Sequence, residues 1–144
     1  YATHPDKAWK EAYWRQLVEL FESRGIPWIV IGRGSGMEGI PASRNFTNRT
    51  SLRETCALLK SSSLLITGDS GPMHLAGAVG TPVLALFGPT TEEWGFFPAG
   101  PKDRVLESQL DCRPCTLHGK KHCDRNHACM QSITPEQVMR ALDE

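Results

Sequence analysis

Apolar and polar residues follow two rhythms along this chain, one helical and one of short unbroken runs. Residues 8–24 set Trp9, Tyr13, Leu17, Leu20 and Phe21 three or four places apart, which predicts an amphipathic helix. Arg24 and Gly25 supply a cation and a glycine to end it. Pro27-Trp28-Ile29-Val30-Ile31 is an apolar run of strand length and reads as a buried strand. It stops at the glycine-rich loop Gly32-Arg33-Gly34-Ser35-Gly36. Asn45-Phe46-Thr47 is long enough only for an edge or minor strand. A helix over 52–60 follows, with Thr50 or Ser51 as its cap and Glu54 in its first turn.

The stretch 64–90 organises the rest. An apolar run at 64–67 meets Gly68-Asp69-Ser70-Gly71-Pro72, and a small-residue segment at 73–79 carries His74 in its first turn. Gly80-Thr81-Pro82 breaks that segment before a second apolar run, 83–87, which ends at Gly88-Pro89-Thr90. The pattern predicts strand, tight turn, helix, turn, strand. Beyond it, 91–94 fits a single helical turn and Arg104-Val105-Leu106 a last short strand, while 108–130 is loop-like and rich in cysteine. The C-terminal helix, 134–142, has Thr134 as N-cap, Pro135 at its first position and Gln137 at its third. Strands that alternate with helices in this order predict an α/β fold, a parallel sheet with helices on both faces and right-handed connections.

Composition narrows the function. The 144 residues suit one domain with a core of its own. Sixteen basic residues balance sixteen acidic ones, so no strong field favours nucleic acid or an anionic membrane, and no nucleic-acid partner is expected. The apolar runs are too short for a transmembrane segment, and the first residues carry no signal-peptide pattern. The chain starts at Tyr1, in what reads as a ligand loop, and is expected to come from something longer. Of five cysteines, Cys56 stands alone in a helical segment and is expected to pack as a small core hydrophobe.

The turn at 68–74 has the chemistry of an anion site. The first turn of a helix presents unpaired N–H groups and partial positive charge, which suit a phosphate. Gly71 lets an anion approach, Ser70 can cap the helix or donate to a phosphate oxygen, and His74 can hydrogen-bond a diphosphate. Asp69 repels phosphate and is better matched to sugar hydroxyls. Thr90 adds a hydroxyl at the same sheet edge. Glycines at 32 and 34 would let backbone come close to a ligand, or merely form a flexible connector.

The run Thr67-Gly68-Asp69-Ser70-Gly71-Pro72-Met73-His74-Leu75-Ala76, with Gly80-Thr81-Pro82 and Ala85-Leu86-Phe87-Gly88-Pro89-Thr90, resembles the signature of the heptosyltransferases, glycosyltransferase family 9. The resemblance extends over essentially the whole chain. It implies a Rossmann-like domain, the C-terminal, donor-binding half of a GT-B glycosyltransferase of lipopolysaccharide core synthesis. The facing N-terminal acceptor domain, with the carboxylate thought to act as base, is absent from this sequence, so no catalytic residue is assigned here. The donor implied is a nucleotide-diphosphate sugar of the ADP-heptose type. The acceptor implied is lipid-linked or a lipopolysaccharide core, met through the missing domain. Thr3 and Lys7 resemble residues that contact the donor diphosphate. Asp69 resembles the carboxylate that engages the donor sugar, and Ser70, Gly71 and His74 the helix-terminal diphosphate site. Many members carry a glutamate after the second strand to meet the nucleotide ribose; here the nearest acid is Glu38. The location implied is cytoplasmic, peripheral to the inner membrane of a Gram-negative-type bacterium. The same fold would also serve a non-catalytic nucleotide-binding module.

Cys112, Cys115, Cys123 and Cys129 lie within 18 residues, among His118, His122 and His127. Four thiolates, or three with a histidine, would suit a structural zinc ion. Disulfides, an iron–sulfur cluster and free thiols share the spacing, because the second pair lacks the CxxC form. A zinc-stapled interaction domain is a third function class on this ground. No cofactor is required by the chemistry expected of the donor site.

Overall fold

The computed structural model describes residues 8–34, 37–68, 70–88, 98, 100–107 and 128–143. Helix α1 spans Glu11–Ser23, starting later than the predicted 8–24 because Lys10 has an extended ψ of 137°. Helix α2 spans Leu52–Lys60. Its cap is Ser51, whose hydroxyl accepts from the Glu54 N–H while the Glu54 carboxylate accepts from the Ser51 N–H, a closed capping box. Strand β1, Leu65–Gly68, leads into helix α3, Gly71–Val79, which ends at Gly80 in the left-handed conformation (φ 80°). Strands β2, Val83–Phe87, and β3, Arg104–Glu107, complete a three-stranded parallel sheet in the order β1-β2-β3.

Strand β2 lies at the centre, and all five of its residues are buried. Leu84 and Leu86 face one side, in a cluster with Trp9, Leu17 and Phe21 and with Val138, Met139 and Ala141 of helix α5, Pro135–Leu142. Val83, Ala85 and Phe87 face the other, against Leu59 of α2 and Met73 and Ala76 of α3. Side chains that alternate across a strand thus feed two cores. Helices cover both faces of the sheet, as the sequence order predicts. Helices α1 and α5 are joined by the buried Trp9 Nε1–H, which donates to the Ile133 carbonyl at 2.7 Å, and by Arg24 Nη2 to Asp143 Oδ1 at 2.9 Å.

Three expectations are corrected. Residues 27–31 form no strand beyond an isolated parallel bridge, Val30 to Asn45. Their polar groups are taken by the following loop: Val30 N–H donates to Arg44 O (2.8 Å), Phe46 N–H to Val30 O (2.8 Å), and Arg44 Nη1 to Trp28 O (3.1 Å). A cavity of about 950 Å3 is lined by Ile29, Val30, Leu64 and Ile66 among others, and Ile29 is 41% exposed. Cys56 is only half-buried and does not belong to either core cluster. Within the stretch read as loop, Ala128–Gln131 is a short helix, α4, with Cys129 and Met130 buried. The turn expected at 91–94 lies outside the described residues. No helix among the described residues is long and apolar enough to cross a membrane.

Candidate functional site

The carboxyl ends of β1 and β2 and the start of α3 meet at one sheet edge, where ligands of open α/β sheets collect. Ser70 is the N-cap residue of α3, extended at φ −154° and ψ 170°. Its side chain makes no cap hydrogen bond; instead its buried hydroxyl pairs with Thr67 Oγ1 at 2.9 Å. The capping bond expected of Ser70 is not made; the pairing with Thr67 takes one of the hydroxyl's hydrogen-bonding positions. Pro72 within the first turn has no N–H at all. The Ser70 side chain takes none of the first-turn N–H groups, and the Met73 N–H turns back to the Ser70 carbonyl at 3.2 Å, so the Gly71 amide and the positive end of the helix dipole are what this start presents at the sheet edge.

Gly71 is exposed, and among the described residues a Cβ there would meet nothing within 4 Å. His74 is exposed on the same turn of α3. Ser70, Gly71 and His74 are thus brought together as the sequence predicts, with Ser70 facing inward. Thr3, Lys7, Asp69 and Thr90 lie outside the described residues.

Gly32 (φ 141°) and Gly34 (φ 129°) both hold backbone conformations that side-chain-bearing residues rarely adopt. The loop is fastened rather than free. The Asn48 carboxamide accepts from Gly34 N–H (3.1 Å) and donates to Gly34 O (2.6 Å), and Asn48 N–H donates to Gly32 O (2.8 Å). Arg33 Nη2 donates to Thr50 O at 3.0 Å, just before α2. Asn48 escaped the sequence reading. Its signal was its type, since asparagine tolerates the left-handed region better than most residues.

Gly88, at the end of β2, is backed by α4: a Cβ there would lie 2.5 Å from Met130 Sδ and 3.1 Å from Cys129 Sγ. The last of the four clustered cysteines is therefore packed beneath the sheet edge that carries the site. Cys112, Cys115 and Cys123 lie outside the described residues, and among the described residues no group of three metal-ligating side chains gathers.

A family model described as glycosyltransferase family 9 (heptosyltransferase) matches residues 1–124. The chain is 36% identical over 130 residues to lipopolysaccharide heptosyltransferase 1 of Pseudomonas aeruginosa, covering 81% of this chain and 34% of that protein. It is 33% identical over 101 residues to lipooligosaccharide heptosyltransferase 2 of Campylobacter jejuni, covering 67% of this chain and 30% of that one. In fold it is similar to the ADP-heptose lipopolysaccharide heptosyltransferase II of E. coli, with a TM-score of 0.78 at 24% identity, over 99% of this chain and 43% of the other. It is also similar to the dodecameric iron-containing heptosyltransferase TibC of enterotoxigenic E. coli, solved with ADP-D-β-D-heptose, with a TM-score of 0.77 at 24% identity, over 99% of this chain and 43% of the other. The chain thus spans about a third of these curated relatives and under half of the solved chains. Its Rossmann-like parallel sheet, covered on both faces, is a half of the GT-B arrangement. With the family model matched over most of its length, the chain belongs to glycosyltransferase family 9.

Proposed function

We propose that this domain binds the nucleotide-sugar donor of an inverting glycosyltransferase, a heptosyltransferase acting on a lipopolysaccharide core. The observation that carries the reading is the start of α3. A helix start that its cap side chain leaves uncapped faces the carboxyl edge of a parallel sheet, in a chain that belongs to this family. The diphosphate sits over Gly71, with His74 as a hydrogen-bond donor. Ser70, tied to Thr67, shapes the turn beneath it. Asp69 takes sugar hydroxyls, and Thr3 and Lys7, which precede α1 in the sequence, meet the diphosphate. Gly32 and Gly34 border the nucleoside.

In the reaction the acceptor hydroxyl attacks the anomeric carbon while the nucleoside diphosphate leaves with the bonding pair. This domain stabilises the charge that grows on the departing phosphate, through the helix start, Lys7 and His74. The base that takes the hydroxyl proton comes from a facing acceptor domain. A lipid-linked acceptor would set the work at the inner-membrane surface, on its cytoplasmic side.

Calorimetric titration tests this. ADP should bind the 144-residue chain, and ADP-heptose should bind more tightly. His74→Ala should weaken both by about tenfold, the loss of one hydrogen bond to a charged group. The chain alone should transfer no sugar. Equal affinity for ADP and ADP-heptose would leave a nucleotide-binding module; no binding of either would remove the donor site.

A further inference from the structure

We infer that Asn48 is a positioning residue, whose carboxamide sets the shape in which the Gly32-Arg33-Gly34 loop receives the nucleoside part of the ligand. The inference rests on the donor-site reading above. Among the described residues Asn48 is the one non-glycine residue with a positive φ (59°). That conformation turns its side chain back onto Gly34, where it takes both the N–H (3.1 Å) and the C=O (2.6 Å). Its own N–H holds Gly32 O at 2.8 Å. One residue thus fixes the loop at both glycines.

This fastening decides what the loop can do. The Gly34 N–H is already engaged, so Gly34 has no amide to offer a phosphate. Among the described residues a Cβ at Gly34 would meet nothing within 4 Å. Glycine is therefore needed there for its φ of 129° rather than to avoid a neighbour within the chain. A loop that is open outside and hydrogen-bonded inside meets a ligand by contact of shape. On the donor-site reading the diphosphate goes to the start of α3 at Gly71, and the sugar to Asp69. The nucleoside is the end left for the loop.

The test compares ADP with inorganic pyrophosphate on the wild-type chain, on Asn48→Gly and on Asn48→Asp, by calorimetry. Glycine adopts the left-handed conformation readily, so Asn48→Gly removes the side-chain clasp and keeps the backbone turn. Asn48→Asp keeps the acceptor but sets a carboxylate oxygen against Gly34 O. Both variants should bind ADP about 3–10-fold more weakly, the loss of one or two ordinary hydrogen bonds, with pyrophosphate affinity unchanged. Wild-type ADP affinity in both variants would overturn the inference, as would an equal loss for pyrophosphate. A wild-type chain that holds pyrophosphate as tightly as ADP would overturn it too, while leaving the α3 site standing. A wild-type chain that binds neither would remove the donor-site reading, and this inference with it.

Discussion

A methyl group at position 88 would lie 2.5 Å from Met130 Sδ and 2.6 Å from Met130 Cγ, so the end of β2 has room for hydrogen alone. Gly88→Ala should destabilise the chain by about 1–3 kcal/mol, the usual cost of overpacking, softened where the methionine can swing aside. Urea unfolding measures it, and Met130→Ala in the same molecule should recover part of the loss. A midpoint unmoved by Gly88→Ala would mean that α4 does not pack there. Residue by residue, the site was legible where chemistry announces itself. Ser70, Gly71 and His74 share one turn because they are close in sequence. What the sequence hid were partners set by folding. The Ser70 hydroxyl pairs with Thr67 (2.9 Å), and Asn48 reaches Gly34 across fourteen residues. No local pattern reports a contact across such a loop.

At the scale of elements, helices with strong caps declared their own ends. The boxes of Ser51 with Glu54 and of Thr134 with Gln137 both formed, and α5 begins at Pro135 as read. The Glu54 carboxyl is held below its ordinary pKa, chiefly by the Ser51 backbone N–H and further by the Ser51 side chain. A carboxylate with a lowered folded pKa contributes stability that is complete above its unfolded pKa and is lost as pH falls through the folded one. The α2 start should therefore fray at a lower pH than an ordinary glutamate would set. The Ser51 amide resonance, followed through an acid titration, should turn over at lower pH than a glutamate in an unstructured peptide. A turnover at or above the peptide value would mean that the box does not form in solution. Strand prediction succeeded at β2, whose bounds match, and failed at 27–31. An apolar run does not state which neighbour takes its backbone hydrogen bonds, nor that every residue in it is buried, and Ile29 is 41% exposed. Here Arg44 and Phe46 take them. The helix α4 was invisible because four residues are too few to show a period.

For the whole molecule, the parallel sheet and its two helical layers followed from the order of elements alone, since a parallel connection needs a crossover. The seam between α1 and α5 did not, because Trp9 and Ile133 are far apart in the chain. The central strand carries a last consequence. Leu84 and Leu86 belong to one core and Val83, Ala85 and Phe87 to the other, so no residue of β2 can leave one without disturbing its neighbours in the second. The two layers should melt as one cooperative unit rather than as separate foldons. Native-state hydrogen exchange would show the slowest amides of α1 and of α3 sharing one opening free energy and one urea slope. Two distinct slopes would divide the molecule along its own sheet.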